Sequence, residues 1–283
     1  MKIFLATAFA ALAAAAPASY NRNLTSLTDA PYGDKKGLAY NNGDITTVLS
    51  QSGSATWAYN WGTALNAPLF QQITMYWGPG SQGDAAGVTA AINAGDSPWV
   101  LGYNEPDETS ANGGCNASPQ AAYDAWGDDM FQFVNLGAKL VCPAITSDDT
   151  TDGATGGPSG LTWLSDFASI GNNPSQFQCS AQALHWYGVD GDDGATQAQL
   201  FISYIESANT RVNDIFGTSM PLWITEFSSL PVHDVDILSD FLAVAIPWLD
   251  AQDYVDRYSP FQAEDLVDGS SLTVAGQTFV STS

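Results

Sequence analysis

Two short stretches of the chain end a run of β-forming apolar residues on a glutamate: Val100-Leu101-Gly102-Tyr103-Asn104-Glu105-Pro106-Asp107 and Pro221-Leu222-Trp223-Ile224-Thr225-Glu226-Phe227. Pro106 cannot donate to a strand ladder, so the first run stops beside Glu105. An acid in such a place is a capping or ion-pairing group, or it is reactive. Two carboxylates facing each other across the mouth of a sheet suit glycosidic cleavage, because one protonates the departing oxygen while the other attacks the anomeric carbon. A gap of about 5–5.5 Å gives retention through a covalent intermediate, and a wider gap admits a water and gives inversion. The acid must stay protonated while its partner stays ionised, so the two need different surroundings.

Other residue types gather near these acids. Asn104 precedes Glu105 and should face away from it under strict alternation, but a twist or bulge at the strand end would present both, leaving Asn104 to bond a sugar hydroxyl. In Leu184-His185-Trp186-Tyr187-Gly188, alternation puts His185 and Tyr187 on one face, to orient the nucleophile or bind substrate, with a satisfied core histidine as the alternative. Tyr40, Trp57, Tyr59, Trp61, Tyr76, Trp77 and Trp223 are aromatics near strand ends. Tyr40 and Trp77, at C-terminal edges, are expected to stack on sugar rings, with Trp223 a further candidate. The chain has only 2 histidines, which excludes a histidine-rich metal site. The acidic loops Asp148-Asp149 and Asp190-Gly191-Asp192-Asp193-Gly194 lack the full calcium-loop spacing and read as solvated turns. No metal or cofactor is expected.

These residues need a frame. Eight short β-rich runs alternate with helical patterns: Lys36–Asn41, Ala55–Trp61, Ile73–Trp77, Trp99–Asn104, Lys139–Ile145, Ala183–Tyr187, Leu222–Phe227 and Val255–Phe261. The clearest helices are Ser118–Gly137, Leu161–Ile170, Thr196–Phe216 and Val235–Asp250, with apolar residues three and four apart. Alternating βα units predict a parallel sheet, and eight of them predict a single α/β (β/α)8 TIM barrel over residues 19–283. In such a barrel the C-terminal strand edges build the active site, which is where Glu105 and Glu226 fall. An open doubly wound sheet is disfavoured, because no glycine-rich phosphate loop follows the first strand.

Residues 1–18 read as a secretory signal peptide: Lys2, an apolar run from Ile3 to Ala16, then Ala16-Pro17-Ala18. The chain is therefore expected outside the cell or in the cell wall, as a monomer. With 30 acidic against 7 basic residues, a net charge of −23 repels phosphate backbones and anionic lipid, so nucleic acid and membrane partners are excluded. An uncharged polysaccharide meets no such repulsion, and an acidic medium would relieve the protein's own. Of the 3 cysteines, Cys142 and Cys179 should lie on or beside neighbouring strands and form a disulfide, with free buried thiols as the alternative, and Cys115 is left over. Asn23-Leu24-Thr25 and Asn116-Ala117-Ser118 are glycosylation sequons.

Six blocks in order, Gly37-Leu38-Ala39-Tyr40-Asn41, Trp57-Ala58-Tyr59-Asn60-Trp61, Trp77-Gly78, Gly102 to Asp107, His185-Trp186-Tyr187-Gly188 and Trp223 to Phe227, resemble glycoside hydrolase family 128, the alkali-sensitive-linkage-like proteins. The resemblance implies a retaining endo-β-1,3-glucanase acting on β-glucan, with Glu105 as acid/base and Glu226 as nucleophile. One departure is present. The family's last strand carries Arg-Tyr-Ala-Trp-Phe, whereas this chain has Arg257-Tyr258-Ser259-Pro260-Phe261, so a proline replaces a tryptophan beside the reacting sugar. That replacement motivates the alternative of a weak or inactive glucan-binding wall protein on the same fold.

Overall fold

The computed structural model describes residues 35–171 and 173–282. The expected signal peptide and the sequon at Asn23 lie outside the described residues. In chain order the elements are β1 (Gly37–Ala39), α1 (Gly43–Ser50), β2 (Trp57–Tyr59), β3 (Gln71–Gln72), β4 (Thr74–Met75), α2 (Ala85–Ala94), β5 (Trp99–Leu101), α3 (Pro119–Asn135) and β6 (Lys139–Ile145). There follow α4 (Gly160–Ser169), β7 (Cys179–Tyr187), α5 (Gly194–Phe216), β8 (Leu222–Ser228), α6 (Val235–Ala251), β9 (Val255–Tyr258), a hairpin of β10 (Val267–Asp268) and β11 (Ser271–Leu272), and α7 (Val274–Ser281).

The fold is α/β with parallel strands. β4 to β9 form a 6-stranded sheet in chain order, and β1, β2 and β3 form a second, 3-stranded one. Lys36 makes a parallel bridge to Tyr258, placing the start of β1 beside β9. The expected single sheet of eight strands is thus divided, and the division falls at Ile73 inside the expected run Ile73–Trp77. Gln71 and Gln72 pair with β2, whereas Thr74 and Met75 pair with β5. The Thr74 amide donates instead to the Ser97 hydroxyl at 3.0 Å, so the ladder is interrupted where the chain changes partners.

Alternation along the strands creates two apolar layers. One face, with Leu38, Ala58, Val100, Leu140, Leu222 and Ile224, packs against helix residues such as Phe133, Leu164, Phe201 and Phe241. The other face supplies a separate cluster of Trp57, Tyr59, Ile73, Met75, Leu101, Val141, Ala181, Ala183 and Trp223 inside the curl of the sheets. Trp57, Trp99 and Trp223 come from strand starts; the Trp99 and Trp223 rings lie 4.7 Å apart, and Arg257 sits 4.6 Å from the Trp223 ring. Aromatics therefore fill the strands' N-terminal end and leave polar chemistry to the other.

Local sequence fixes the helices. Asp84, Ser118, Asp193, Asp234 and Thr273 each accept a first-turn amide at an N-cap, and Pro119 occupies the first turn of α3. Gly95 and Gly217 end α2 and α5 in the left-handed region, at φ 80° and 65°. The Lys35 ammonium donates to the carbonyls of Leu249, Asp250 and Gln252 at 3.2, 3.0 and 2.7 Å, capping the C-terminal end of α6 with positive charge. Cys142 and Cys179 form a disulfide joining β6 to β7, and Cys115 is free and buried. No helix among the described residues is long and apolar enough to cross a membrane.

Candidate active site

The C-terminal ends of seven strands, β1, β2, β4, β5, β7, β8 and β9, converge on one cavity of about 320 Å³, lined by Asn41, Trp61, Trp77, Asn104, Glu105, Asn112, Gly113, Tyr187, Glu226 and Phe261. Glu105 follows β5, and its amide donates to the Ala144 carbonyl near the end of the neighbouring β6 at 2.9 Å. Its backbone sits at φ 42°, a left-handed conformation uncommon for a residue with a side chain. That twist breaks the strand's alternation, and Asn104 and Glu105 both face the cavity. The Asn104 amide nitrogen donates to the Gly113 carbonyl at 3.1 Å, while its Oδ1 is buried without a hydrogen-bond partner.

Glu105 and Glu226 are 8% and 4% exposed, and His185 between them is fully buried. His185 Nδ1 lies 2.7 Å from Glu105 Oε1 and 3.6 Å from Glu226 Oε2, and Nε2 lies 2.9 Å from the Thr225 hydroxyl. One donor atom each from Glu105, His185 and Glu226 falls within 4.8 Å of the others. Such a trio has the donor types of a cation site, but protein hydrogen bonds already engage its atoms. The Glu226 oxygens accept from the Trp61 indole N–H and the Tyr187 hydroxyl, each at 2.6 Å. The arrangement is built to hold and move protons.

Burial raises the Glu105 carboxyl above the ordinary carboxylate range; the His185 hydrogen bond and charge oppose this, while the Glu226 and Asp107 charges add to it. At His185, burial favours the neutral ring, but the Glu226 charge, the Glu105 contact and the Asp107 charge together raise its pKa. Burial, then the Glu226 charge and hydrogen bond, push the Tyr187 phenol far up, so it stays a donor. Behind the site, Asp107 accepts from the Thr146 amide and hydroxyl and from the Gly160 amide at 3.0, 2.6 and 2.7 Å, pinning the loop after β6.

The structure brings Glu105, Glu226, Asn104, Trp77 and Tyr187 to the cavity, with His185 directly behind. It does not bring Tyr40 or Trp223 there. Tyr40 follows Ala39 and so points to the helix-facing layer, buried, where its hydroxyl accepts from the Asn66 amide at 3.1 Å. Trp223 is at the start of β8, at the opposite end of the sheet from Glu226. Trp61, Phe261, Asn41 and Asn112 were not singled out as site residues. Trp61 shares parity with Trp57 and Tyr59 in one run, a signal that marks it as inward-facing. Pro260 is buried, and it is Phe261 that reaches the cavity, its ring 5.7 Å from Trp61 and 5.6 Å from Tyr187.

A parallel α/β fold that sets a buried carboxylate pair at the C-terminal edge of its strands defines the catalytic core of a glycoside hydrolase. The family model for the glycosyl hydrolase catalytic core matches residues 37–279, and the chain belongs to that family and, within it, to glycoside hydrolase family 128. Among solved structures, a family 128 subgroup III curdlan-specific exo-β-1,3-glucanase from Blastomyces gilchristii, in complex with glucose, is 31% identical with a TM-score of 0.72, covering 87% of this chain and 97% of that one. A subgroup I endo-β-1,3-glucanase from Amycolatopsis mediterranei, in complex with laminaritriose, is 26% identical with a TM-score of 0.67, covering 88% and 99%. Alkali-sensitive linkage protein 1 of Schizosaccharomyces pombe is 26% identical over 242 residues, which are 80% of this chain and 38% of that protein. The chain thus spans well under half of that relative's length.

Proposed function

We propose that this chain is a secreted, retaining endo-β-1,3-glucanase on a (β/α)8 barrel, with Glu105 as acid/base and Glu226 as nucleophile. The observation that carries the reading is the buried pair linked through His185, whose facing atoms lie within 4.8 Å of one another. That spacing favours direct attack over a water-filled gap. An oxygen of Glu226 bonds to the anomeric carbon as the glycosidic bond breaks, and the departing oxygen takes the proton held on Glu105. Water then gives a proton to Glu105 and attacks the same carbon, releasing Glu226 as a carboxylate. The raised pKa of Glu105 supports its role as the acid. Trp77, Asn104 and Asn112 border the cavity and would hold the flanking sugars. The β-1,3 linkage is supported by two relatives, the curdlan-specific exo-β-1,3-glucanase and the endo-β-1,3-glucanase in complex with laminaritriose. Secretion is supported by the Cys142–Cys179 disulfide, which persists in an oxidising compartment. Barrel closure is supported by the Lys36–Tyr258 bridge.

Identity to the Blastomyces exo-enzyme favours a second reading, release of single glucose units from a chain end. Incubation with linear β-1,3-glucan, alongside Glu226→Ala, separates the readings by product length. A ladder of short oligomers from the parent supports endo attack, glucose alone supports exo attack, and polymer binding without reducing ends from either protein would leave a wall-binding role.

A further inference from the structure

Trp61 ends the run of β2 at φ 58°, a conformation that is rare and strained for a bulky residue and that turns its indole into the cavity. The ring is fixed between Tyr59, 5.1 Å away, and the edge of Phe261, and its N–H donates to Glu226 Oε1 at 2.6 Å. Glu226 Oε2 accepts from the Tyr187 hydroxyl at the same distance. The two donors are chemically unequal. A phenol rotates and can accept as well as donate, whereas an indole N–H only donates and points where its ring points. When Glu226 bonds to a sugar, one carboxylate oxygen becomes the bridging oxygen of a glycosyl ester and must loosen its partner. The other becomes the ester carbonyl and keeps one.

We infer that Trp61 holds Oε1 as the carbonyl oxygen, leaves Oε2 to form the bond, and stabilises Glu226 as it departs in the second half of the reaction. This rests on the retaining reading above. In the first half, Glu226 gives up negative charge, so the Trp61 contact weakens; it positions the carboxylate but does not lower that barrier through charge. In the second half, water attacks the anomeric carbon, the bond to Oε2 breaks and its electron pair returns to the carboxylate. Charge then grows on Oε1 against a donor already in place, where preorganised donors act most strongly.

The test uses an aryl β-laminaribioside with a dinitrophenolate leaving group, which makes the first half fast. Trp61→Phe keeps a ring on the wall and removes the N–H. The expected result is a kcat lower by about 10- to 100-fold, a parallel fall in KM, and a burst of dinitrophenolate equal to the enzyme concentration. A carboxylate merely displaced by lost packing would instead lower kcat/KM, with no burst. Should Trp61→Phe fold poorly, 3-benzothienylalanine at position 61 replaces the N–H by sulfur in a ring of nearly the same shape, and the same burst is expected. An active parent whose Trp61 variants show no burst would overturn this inference and leave the glucanase reading standing. A parent that cleaves neither this substrate nor linear β-1,3-glucan would overturn both.

Discussion

Glu105 and His185 share a 2.7 Å contact from which each sets the other's proton. Burial raises Glu105, and the His185 contact and charge are the two influences that pull it back. The acid must be protonated to serve the leaving group, so the alkaline limb of kcat/KM should lie above the ordinary carboxylate range. His185→Leu removes both opposing influences, the hydrogen bond and the charge, and that limb should move to higher pH, which a pH–rate profile measures. Glu105→Gln should lower turnover of unactivated glucan by about 10²- to 10⁴-fold. It should affect the first step far less for a dinitrophenyl glycoside, whose leaving group needs no proton. Both glutamates were legible in the sequence, because an acid closing an apolar strand is conspicuous. Tyr40 and Trp223 were misplaced for one reason: proximity to a strand in sequence does not say which face or which end a side chain occupies. Trp61 was visible but unweighted, since the left-handed turn that aims it leaves no mark in the residue pattern.

The elements show a similar division. The long, largely apolar runs of β6 and β8 and the capped helices α3, α5 and α6 could be read from composition and period. The three-residue strands could be placed but not bounded, and the split at Ile73 depends on a hydroxyl from Ser97 taking the Thr74 amide. The hairpin of β10 and β11 and the short α7 were not read at all, because their polar and small residues carry little periodicity. The Cys142–Cys179 link was foreseen from strand neighbourhood and closes a loop across 37 residues. Replacing both cysteines by serine should cost about 2–4 kcal/mol of stability, measured by denaturant unfolding, while the folded fraction keeps its turnover. A second element-scale prediction concerns Asp129 on α3. It accepts from the Tyr76 and Tyr103 hydroxyls and the Gly80 amide at 3.0, 2.7 and 2.8 Å, holding both chain segments that precede and follow Trp77. Asp129→Ala should destabilise the fold by about 1–3 kcal/mol for each donor left unpaired and raise KM through Trp77.

Across the whole molecule, net charge and the buried groups of the site act in one direction between mild acid and neutrality. Glu105, Asp107 and His185 all have pKa values raised by their folded surroundings. A group raised on folding contributes its stability in full below its ordinary value and loses it as pH climbs through the raised one. Asp84 and Asp193 are lowered, by the Thr63 hydroxyl and by the Thr196 amide respectively, and oppose this only below the ordinary carboxylate range. Self-repulsion from a net charge of −23 adds to the loss at higher pH. The thermal midpoint should therefore peak in mild acid and decline toward pH ~8, and a midpoint that rises over that interval would contradict the account.

The measurement that reaches the central claim most directly is the anomeric form of the first sugar released from linear β-1,3-glucan, followed by proton NMR before mutarotation. Attack by Glu226 with Glu105 as acid/base predicts the β-anomer first from the parent and no release from Glu226→Ala. The α-anomer first, or undiminished release from Glu226→Ala, would contradict it.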